Sequence, residues 1–273
     1  MGVHLGSPLA TRILLHHGQP APPLTRASRS PTSSCGCATA GHQVEGNNIN
    51  SDLWLIEHLP GSIFKEPSGD ACDHYRLYPQ DTSMLADLGF NTYRFSLEWS
   101  RIEPEEGFFS NSELEHYRRM LATCREHHLT TLLTYSHFSV PRWFAFKGGW
   151  QGPTASDLYA RFCEKATKHL GDLVGYASTF NEPDIPQLLN WINLPGTQGM
   201  SLIESFQTGL ARVRQQVNAP EFSDFFLGDG KKIRYGLLAA HHNGNEISPQ
   251  RHAGRLQPGN VRRPARARGQ PSR

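Results

Sequence analysis

The sequence predicts an α/β protein whose strands form one parallel sheet, curved toward a barrel and incomplete. Short runs of β-branched and aromatic residues alternate with amphipathic helical stretches along the middle of the chain. The connections between these runs are long enough for the crossovers that parallel strands need. Polar residues follow the first four runs at their carboxyl ends, as at the rim of an α/β barrel, and the Gly-rich phosphate turn of an open doubly wound sheet does not occur.

The elements follow one another in a regular order. The amphipathic stretch 111–128 has Leu114, Tyr117, Leu121 and Cys124 at helical spacing, and Gly89 ends the helix before it as a C-cap. We predict helices at Asp73–Leu88, 111–128, from Asp157 onward, and at Leu202–Val217. We predict strands at Ala38–Ala40, Asn91–Ser96, Thr130–Tyr135, Tyr176–Phe180 and Ile233–Ala239.

The fourth strand leads directly into a polar pair. Tyr176–Phe180 has the β-branched, aromatic and small residues of a buried strand, and Asn181 and Glu182 follow it. Pro183 has no backbone N–H and restricts the residue before it, so we expect the strand to stop here with Glu182 extended. Asn181 and Glu182 would then lie side by side at the carboxyl end of a strand. The alternative is a surface turn, in which Asn and Pro are common residues.

Charge and cysteine content limit the possible classes of protein. The net charge is +2, but ten Arg in residues 1–34 and 247–273 account for it, and the middle of the chain is acidic. The basic balance therefore gives no reason to expect nucleic acid as a partner. The five cysteines are odd in number and lack framework spacing, which indicates a reduced, cytoplasmic protein. No apolar run is long enough to span a membrane, and the absence of a metal cluster or nucleotide loop implies no cofactor.

Five segments of the chain carry motifs at the ends of the predicted strands or just after them. The segments are Ala38–Gly46, Tyr93–Ile102, Tyr135–Pro141, Gly148–Trp150 and Thr179–Pro183. Together they resemble glycoside hydrolase family 1, the β-glucosidase family. They occur in the family's order and with its spacing between about Cys37 and Ala240, which makes the resemblance specific, although Phe138 replaces the family's usual Trp.

The resemblance implies a (β/α)8 TIM barrel, here incomplete with about five strands, and a role for each polar residue at its rim. Glu182 matches the acid/base of a retaining β-glycosidase, and Asn181 matches the group that hydrogen-bonds the sugar 2-hydroxyl. Gln43 and His137 match binders of the sugar ring, and Arg94 matches the arginine that orients the nucleophilic carboxylate. Read alone, His137 could be a structural histidine and Arg94 a structural ion-pair partner.

The resemblance leaves one catalytic group unaccounted for. A retaining mechanism needs a second carboxylate about 5–5.5 Å from the first, and the family supplies it in a Thr-Glu-Asn-Gly type of motif that this sequence does not contain. Glu246 follows the predicted fifth strand and is poorly placed for that role. The expected function is hydrolysis of terminal β-linked sugars from small glycosides or oligosaccharides. The alternatives are a truncated, non-catalytic sugar-binding fragment and a related endoglycanase, and Gln43 with the His137 segment favours the glycosidase over the latter.

The two ends of the chain share an unusual composition. Both are rich in Arg and contain neither Lys nor acidic residues. A transit peptide would explain the first end, whereas reading of GC-rich DNA out of frame would explain both. We therefore predict a non-native or disordered leader at 1–34, a partial TIM-barrel glycosidase domain at 35–246 and a disordered basic tail at 247–273. Five strands cannot close a barrel, so we also expect self-association through open sheet edges.

Overall fold

The structure, a computed structural model, describes residues 34–188 and 202–247, with the side chains of 202–206 and 245–247 outside that description. Four strands form one parallel sheet in the order β1-β2-β3-β4. Gly36 pairs with Thr92, Thr92 pairs with Thr130, and Leu132 pairs with Tyr176. The strands are β1 (Gly36–Ala38), β2 (Thr92–Ser96), β3 (Thr130–Ser136) and β4 (Tyr176–Phe180).

Helices separate consecutive strands, as parallel crossovers require. The four predicted helices that flank the strands are confirmed, with bounds that differ by at most two residues. Several short helices occupy the connections around them. The helices are α1 (Gly41–Val44), α2 (Asp52–Glu57), α3 (His74–Asp87), α4 (Trp99–Ile102), α5 (Asn111–Glu126), α6 (Arg142–Phe146), α7 (Ala155–Leu170), α8 (Ile185–Leu188), α9 (Leu202–Gln216) and α10 (Gly230–Ile247).

The first residue and the buried face of helix α5 both follow from its sequence. Ser110 caps α5, because its Oγ accepts a hydrogen bond from the backbone N–H of Glu113 at 3.3 Å. The apolar stripe predicted for this helix is buried against the sheet. Trp99 lies at the centre of an aromatic cluster between the sheet and α7, with its ring 5.1 Å from that of Phe162. This cluster fixes the chain just beyond the end of β2.

The predicted fifth strand is wrong. Ile233–Ala239 lies inside α10, where Ile233, Leu237 and Ala240 are at most 1% exposed. Tyr235 and Leu238, between them, are 62% and 53% exposed. Burial at spacings of four and three is the period of a helix, and the apolar run resembled a strand because its outward-facing residues are also apolar. The described part of the chain therefore contains four strands of a barrel.

The ends predicted as leader and tail lie largely outside the described residues. None of the described helices is long and apolar enough to cross a membrane. The five cysteines are free.

Asp52 and Asp224 carry two buried carboxyl groups near helix α6. Oδ1 of Asp52 accepts hydrogen bonds from the backbone N–H groups of Leu53 and Val140 at 2.8 and 2.9 Å. Oδ1 of Asp224 accepts one from Leu227, whereas Oδ2 of each Asp is buried without a hydrogen-bond partner among the described residues. Burial raises the pKa of Asp224 to about 7. Burial, and then the charge of Asp224, raises the pKa of Asp52 well above its usual range.

We expect an Asp224→Asn variant to be more stable than the wild type at pH 8 but not at pH 4. The unfolded chain loses the Asp224 proton near the ordinary pKa of 3.8, whereas the folded chain keeps it to about pH 7. Between these values the folded state holds the Asp224 proton more tightly than the unfolded state does, so this group makes the wild type lose stability as the pH rises. The variant lacks this one contribution and should lose less stability over the same range. The difference in unfolding free energy should reach roughly a few kcal/mol above pH 7.

Urea unfolding of both proteins at pH 4, 6 and 8 measures this difference. An Asp87→Asn variant, in which the replaced residue is exposed at the end of α3, controls for the loss of one carboxyl group. A difference between Asp224→Asn and the wild type that is the same at all three pH values would contradict the prediction.

Candidate active site

The polar pair after β4 lies where the sequence predicts it, but with a different backbone conformation. The strand ends at Phe180, and Glu182 has φ 45°. The carbonyl oxygen of Glu182 accepts a hydrogen bond from the N–H of Ile185 at 3.1 Å, which starts the turn into α8. The prediction of an extended Glu182 is therefore wrong. Pro183 disfavours the right-handed helical region for the residue before it, and this turn takes the left-handed one.

A chain of hydrogen bonds joins three of the predicted site residues. Nη2 of Arg94 donates to Oδ1 of Asn181 at 2.8 Å, and Nδ2 of Asn181 donates to Oε2 of Glu182 at 3.1 Å. Because Arg94 can only donate, it fixes which atom of the Asn181 amide faces it. The amide N–H group of Asn181 is thereby turned toward Glu182. The sheet brings these residues together because β2 and β4 both pair with β3.

The arginine is held from its other side as well. Nε of Arg94 donates to Oγ1 of Thr134 at 2.9 Å, and Thr134 lies buried on the neighbouring strand β3. Asn181 is also buried, and its N–H donates to the carbonyl of Ser136 at 3.0 Å. Glu182, in contrast, is exposed at the mouth of the site. Arg94 and Asn181 are thus held by hydrogen bonds to β3, whereas the carboxyl group of Glu182 faces solvent.

His137 lies close to this array, directly after β3. Its burial, and then the positive charge of Arg94, lowers the pKa of His137 to about 4. The imidazole is therefore neutral at neutral pH, with one nitrogen that donates and one that accepts. A neutral ring of this kind can hydrogen-bond a hydroxyl pair without introducing charge.

Gln43 completes the set of residues that the sequence singles out, and two tryptophans lie in segments near the site. Gln43 is exposed on α1, and its side chain makes no hydrogen bond to another described residue. Gln43 therefore lies on the β1 side of the rim, and its side chain is not hydrogen-bonded to Arg94, Asn181 or Glu182. Trp150 is only 1% exposed, and Trp143 donates its indole N–H to the carbonyl of Glu103 at 2.8 Å. The Trp150 ring therefore lies in the core, and the half-buried Trp143 ring packs against that core.

Glu98 is a site-building residue that the sequence reasoning did not single out. One of its oxygens accepts from the backbone N–H of His42 at 2.8 Å, and the other accepts from Asn48 and Ser139 at 2.6 and 2.7 Å. It thus ties together the loops that follow β1, β2 and β3. Burial raises the pKa of Glu98. The position of Glu98 between the apolar residues Leu97 and Trp99 is the signal that could have indicated this role. A carboxyl group that is buried among apolar residues usually has hydrogen-bond partners.

The described residues place no second carboxylate in this array. Glu246, which the sequence already indicates is poorly placed for that role, belongs to the last turn of α10, and its side chain lies outside the description. The described residues contain no group of three or more His, Cys, Asp or Glu side chains that could hold a metal ion.

A parallel α/β sheet with an arginine on β2 and an amide and a carboxyl group directly after β4 fits the class of barrel glycoside hydrolases. The sequence profile described as "Glycosyl hydrolase family 1" matches residues 34–209. The chain belongs to glycosyl hydrolase family 1. The resemblance seen in the sequence, the barrel fold class and the assignment to glycoside hydrolases are thereby confirmed.

Individual relatives agree with this assignment. Beta-glucosidase A of Acetivibrio thermocellus is 34% identical over 175 residues, which are 60% of this chain and 39% of that protein. The crystal structure of the beta-glycosidase BGL167 is 46% identical with a TM-score of 0.72, over 81% of this chain and 53% of that one. The apo structure of beta-glucosidase 1317 is 39% identical with a TM-score of 0.74, over 81% of this chain and 54% of that one. The chain thus spans about half the length of these relatives or less.

Proposed function

We propose that this chain provides the acid/base side of a retaining β-glycosidase site, with Glu182 as the acid/base. The observation that carries the proposal is the hydrogen-bonded array of Arg94, on β2, with Asn181 and Glu182, directly after β4. Membership of glycosyl hydrolase family 1 supports it. The substrates would be small glycosides or oligosaccharides with a terminal β-linked sugar of the glucose or galactose type.

Each member of the array has a distinct task in this mechanism. The Glu182 carboxyl group, which faces solvent, donates its proton to the glycosidic oxygen as the bond to the anomeric carbon breaks. It then takes a proton from the water that releases the sugar. Asn181, held by Arg94, presents its amide N–H group next to Glu182, where a sugar 2-hydroxyl can accept from it. His137 and Gln43 would bind the remaining hydroxyls.

Arg94 would serve the second carboxylate of the mechanism. Its guanidinium is fixed by Thr134 and Asn181 at 2.9 and 2.8 Å, and a cation held in this way orients a carboxylate and keeps it ionised. In a retaining enzyme that carboxylate attacks the anomeric carbon. A small carboxylate from solution can take the same position next to Arg94.

The test is an assay of the purified chain on an aryl β-glucoside with and without formate. We expect release of the aryl alcohol to depend on formate, because formate can attack the anomeric carbon while Glu182 protonates the departing oxygen. The same aryl group on an α-glucoside is the control, since the two anomers present opposite faces of the anomeric carbon to the site. Equal rates for the two anomers would contradict the proposal.

The absence of a Thr-Glu-Asn-Gly type of segment from the sequence favours a second candidate function. In this alternative the chain binds sugars without hydrolysing them. Calorimetric binding of glucose, with no release of the aryl alcohol under any condition above, would select the alternative. Rapid cleavage of long β-glucans in preference to the aryl glucoside would instead indicate an endoglycanase.

A further inference from the structure

Glu98 connects the two segments that carry the residues proposed to bind the sugar ring. Its side chain is only 1% exposed. Oε1 accepts a hydrogen bond at 2.8 Å from the backbone N–H of His42, the residue directly before Gln43. Oε2 accepts one at 2.7 Å from Oγ of Ser139, two residues after His137. A single buried carboxyl group is therefore hydrogen-bonded to both segments.

The first segment is the short helix α1, which carries Gln43. The N–H groups at the start of a helix have no partner within it. In α1, Oγ of Ser96 accepts from the N–H of Gly41 at 2.8 Å, and Glu98 accepts from that of His42. A Cβ atom on Gly41 would lie 2.6 Å from Oε1 of Glu98, so that glycine is what allows this close approach. The orientation of α1 therefore depends on the Glu98 carboxyl group.

The second segment, directly after β3, contains a strained turn. The N–H of Ser139 donates to the carbonyl of His137 at 2.8 Å, and Phe138 between them has φ 68°. A three-residue turn with a positive φ at its centre is rare and strained, and such a backbone persists where the surrounding structure holds it. The ring of Phe138 packs 4.9 Å from that of Phe225. The hydrogen bond from Oγ of Ser139 to Glu98 holds the end of the turn.

We propose that Glu98 is a positioning residue of the sugar site, which holds Gln43 and His137 in the arrangement that binds two hydroxyls of one ring. This inference rests on the proposed function. Side chains that bind a ligand keep their geometry because neighbouring groups hold them. Asn181 is held separately, by Arg94 and by the backbone of β3. Glu98 should therefore govern recognition of the hydroxyls that Gln43 and His137 bind, and not of the 2-hydroxyl.

The variant Glu98→Gln keeps the shape of the side chain but removes one acceptor. If its amide oxygen faces the N–H of His42, its NH2 group meets Nδ2 of Asn48, which donates to Glu98 at 2.6 Å in the wild type. If the amide is turned the other way, the NH2 group meets the N–H of His42. Either way a buried donor loses its acceptor, and the loops after β1 and β3 should loosen.

Calorimetric binding of glucose and of 2-, 3-, 4- and 6-deoxyglucose to the full chain tests this inference. In the wild type, loss of a hydroxyl that Gln43 or His137 binds should weaken binding about tenfold. Gln43→Ala and His137→Ala identify those hydroxyls, since each variant abolishes its own penalty. In Glu98→Gln the same penalties should fall to about threefold or less, because the binding groups no longer have fixed positions. The penalty for 2-deoxyglucose, which reports on Asn181, should remain.

Glu103→Gln is the matched control. Glu103 also carries a buried carboxyl group, which accepts from Nε1 of Trp99 and from the N–H of Gly107, each at 2.7 Å. These partners lie in α4 and in the loop after it. This variant should lose stability and keep every deoxyglucose penalty of the wild type.

Ser139→Ala separates the two arms of the proposal. It removes the hydrogen bond from Glu98 to the turn after β3 and leaves the one to α1 in place. The penalty assigned to His137 should fall, and that assigned to Gln43 should remain. Because this change removes a single hydroxyl, it also decides the question if Glu98→Gln does not fold, as judged by circular dichroism.

Two outcomes would overturn the inference. One is a Glu98→Gln variant, or a Ser139→Ala variant, that weakens binding of every sugar by the same factor, since Glu98 would then stabilise the fold without positioning the binders. The other is a wild-type chain that binds none of these sugars. A chain that binds them with the expected penalties but shows no formate-dependent cleavage would overturn the acid/base proposal alone.

Discussion

Replacing Glu182 with Gln is expected to lower the rate of formate-dependent cleavage of an aryl β-glucoside by about 10²–10⁴-fold. Gln has the shape of Glu and can still accept the hydrogen bond from Asn181 at 3.1 Å, but it has no proton to donate to the departing oxygen. The decrease in the cleavage rate should therefore reflect the missing proton donor and not a displaced side chain.

The size of the loss should depend on the leaving group. A 2,4-dinitrophenolate departs without protonation, so we expect the variant to cleave that glucoside nearly as well as the wild type does. For a poorer leaving group, such as an alkyl alcohol, the whole effect should appear in the rate. Glu126→Gln is the matched control, because Glu126 is exposed at the end of α5, just before the amino end of β3, whereas Glu182 follows the carboxyl end of β4. An equal loss for good and poor leaving groups would show that Glu182 is not the general acid.

Replacing Gly236 with Ala is expected to destabilise the folded chain on the order of 3 kcal/mol. A Cβ atom on Gly236 would overlap the backbone carbonyl of Trp150, in the short 3-10 turn Gly149–Gln151 against which α10 packs. A backbone atom in a packed core cannot move aside as the tip of a side chain can. Helix α10 would have to shift away from this turn and from α7, and burial of Ile233 and Leu237 would be lost in part.

Gly209→Ala provides the comparison. Gly209 also lies inside a helix, α9, but its added Cβ would lie 3.5 Å from the Leu227 side chain, an ordinary contact. Since Ala is the better helix former, this variant should gain about 0.5–1 kcal/mol. Thermal unfolding of both variants beside the wild type measures the contrast. Similar stabilities for the two variants would mean that α10 is not packed on the Trp150 turn in solution.

The order and type of most elements could be predicted because each carries its own periodic signal. Helix α5 has a stripe of apolar residues at helical spacing, and β4 is a short run of aromatic, β-branched and small residues that ends shortly before Pro183. Ile233–Ala239 gave no such signal, because a run that is apolar on both sides of a helix has no period to read. Only packing against α7 and the Trp150 turn shows that Ile233 and Leu237 share one buried face.

The sequence by itself determined the family, the parallel α/β plan and which polar residues stand at the strand ends, since these depend on local pattern and spacing. The tertiary structure decided how those residues meet. It joins Arg94 to Asn181 across 87 positions of the chain, turns Glu182 into a left-handed conformation and gathers three loops on Glu98. The physical reason is that a hydrogen bond between distant residues depends on the register of neighbouring strands, which no local pattern along one strand encodes.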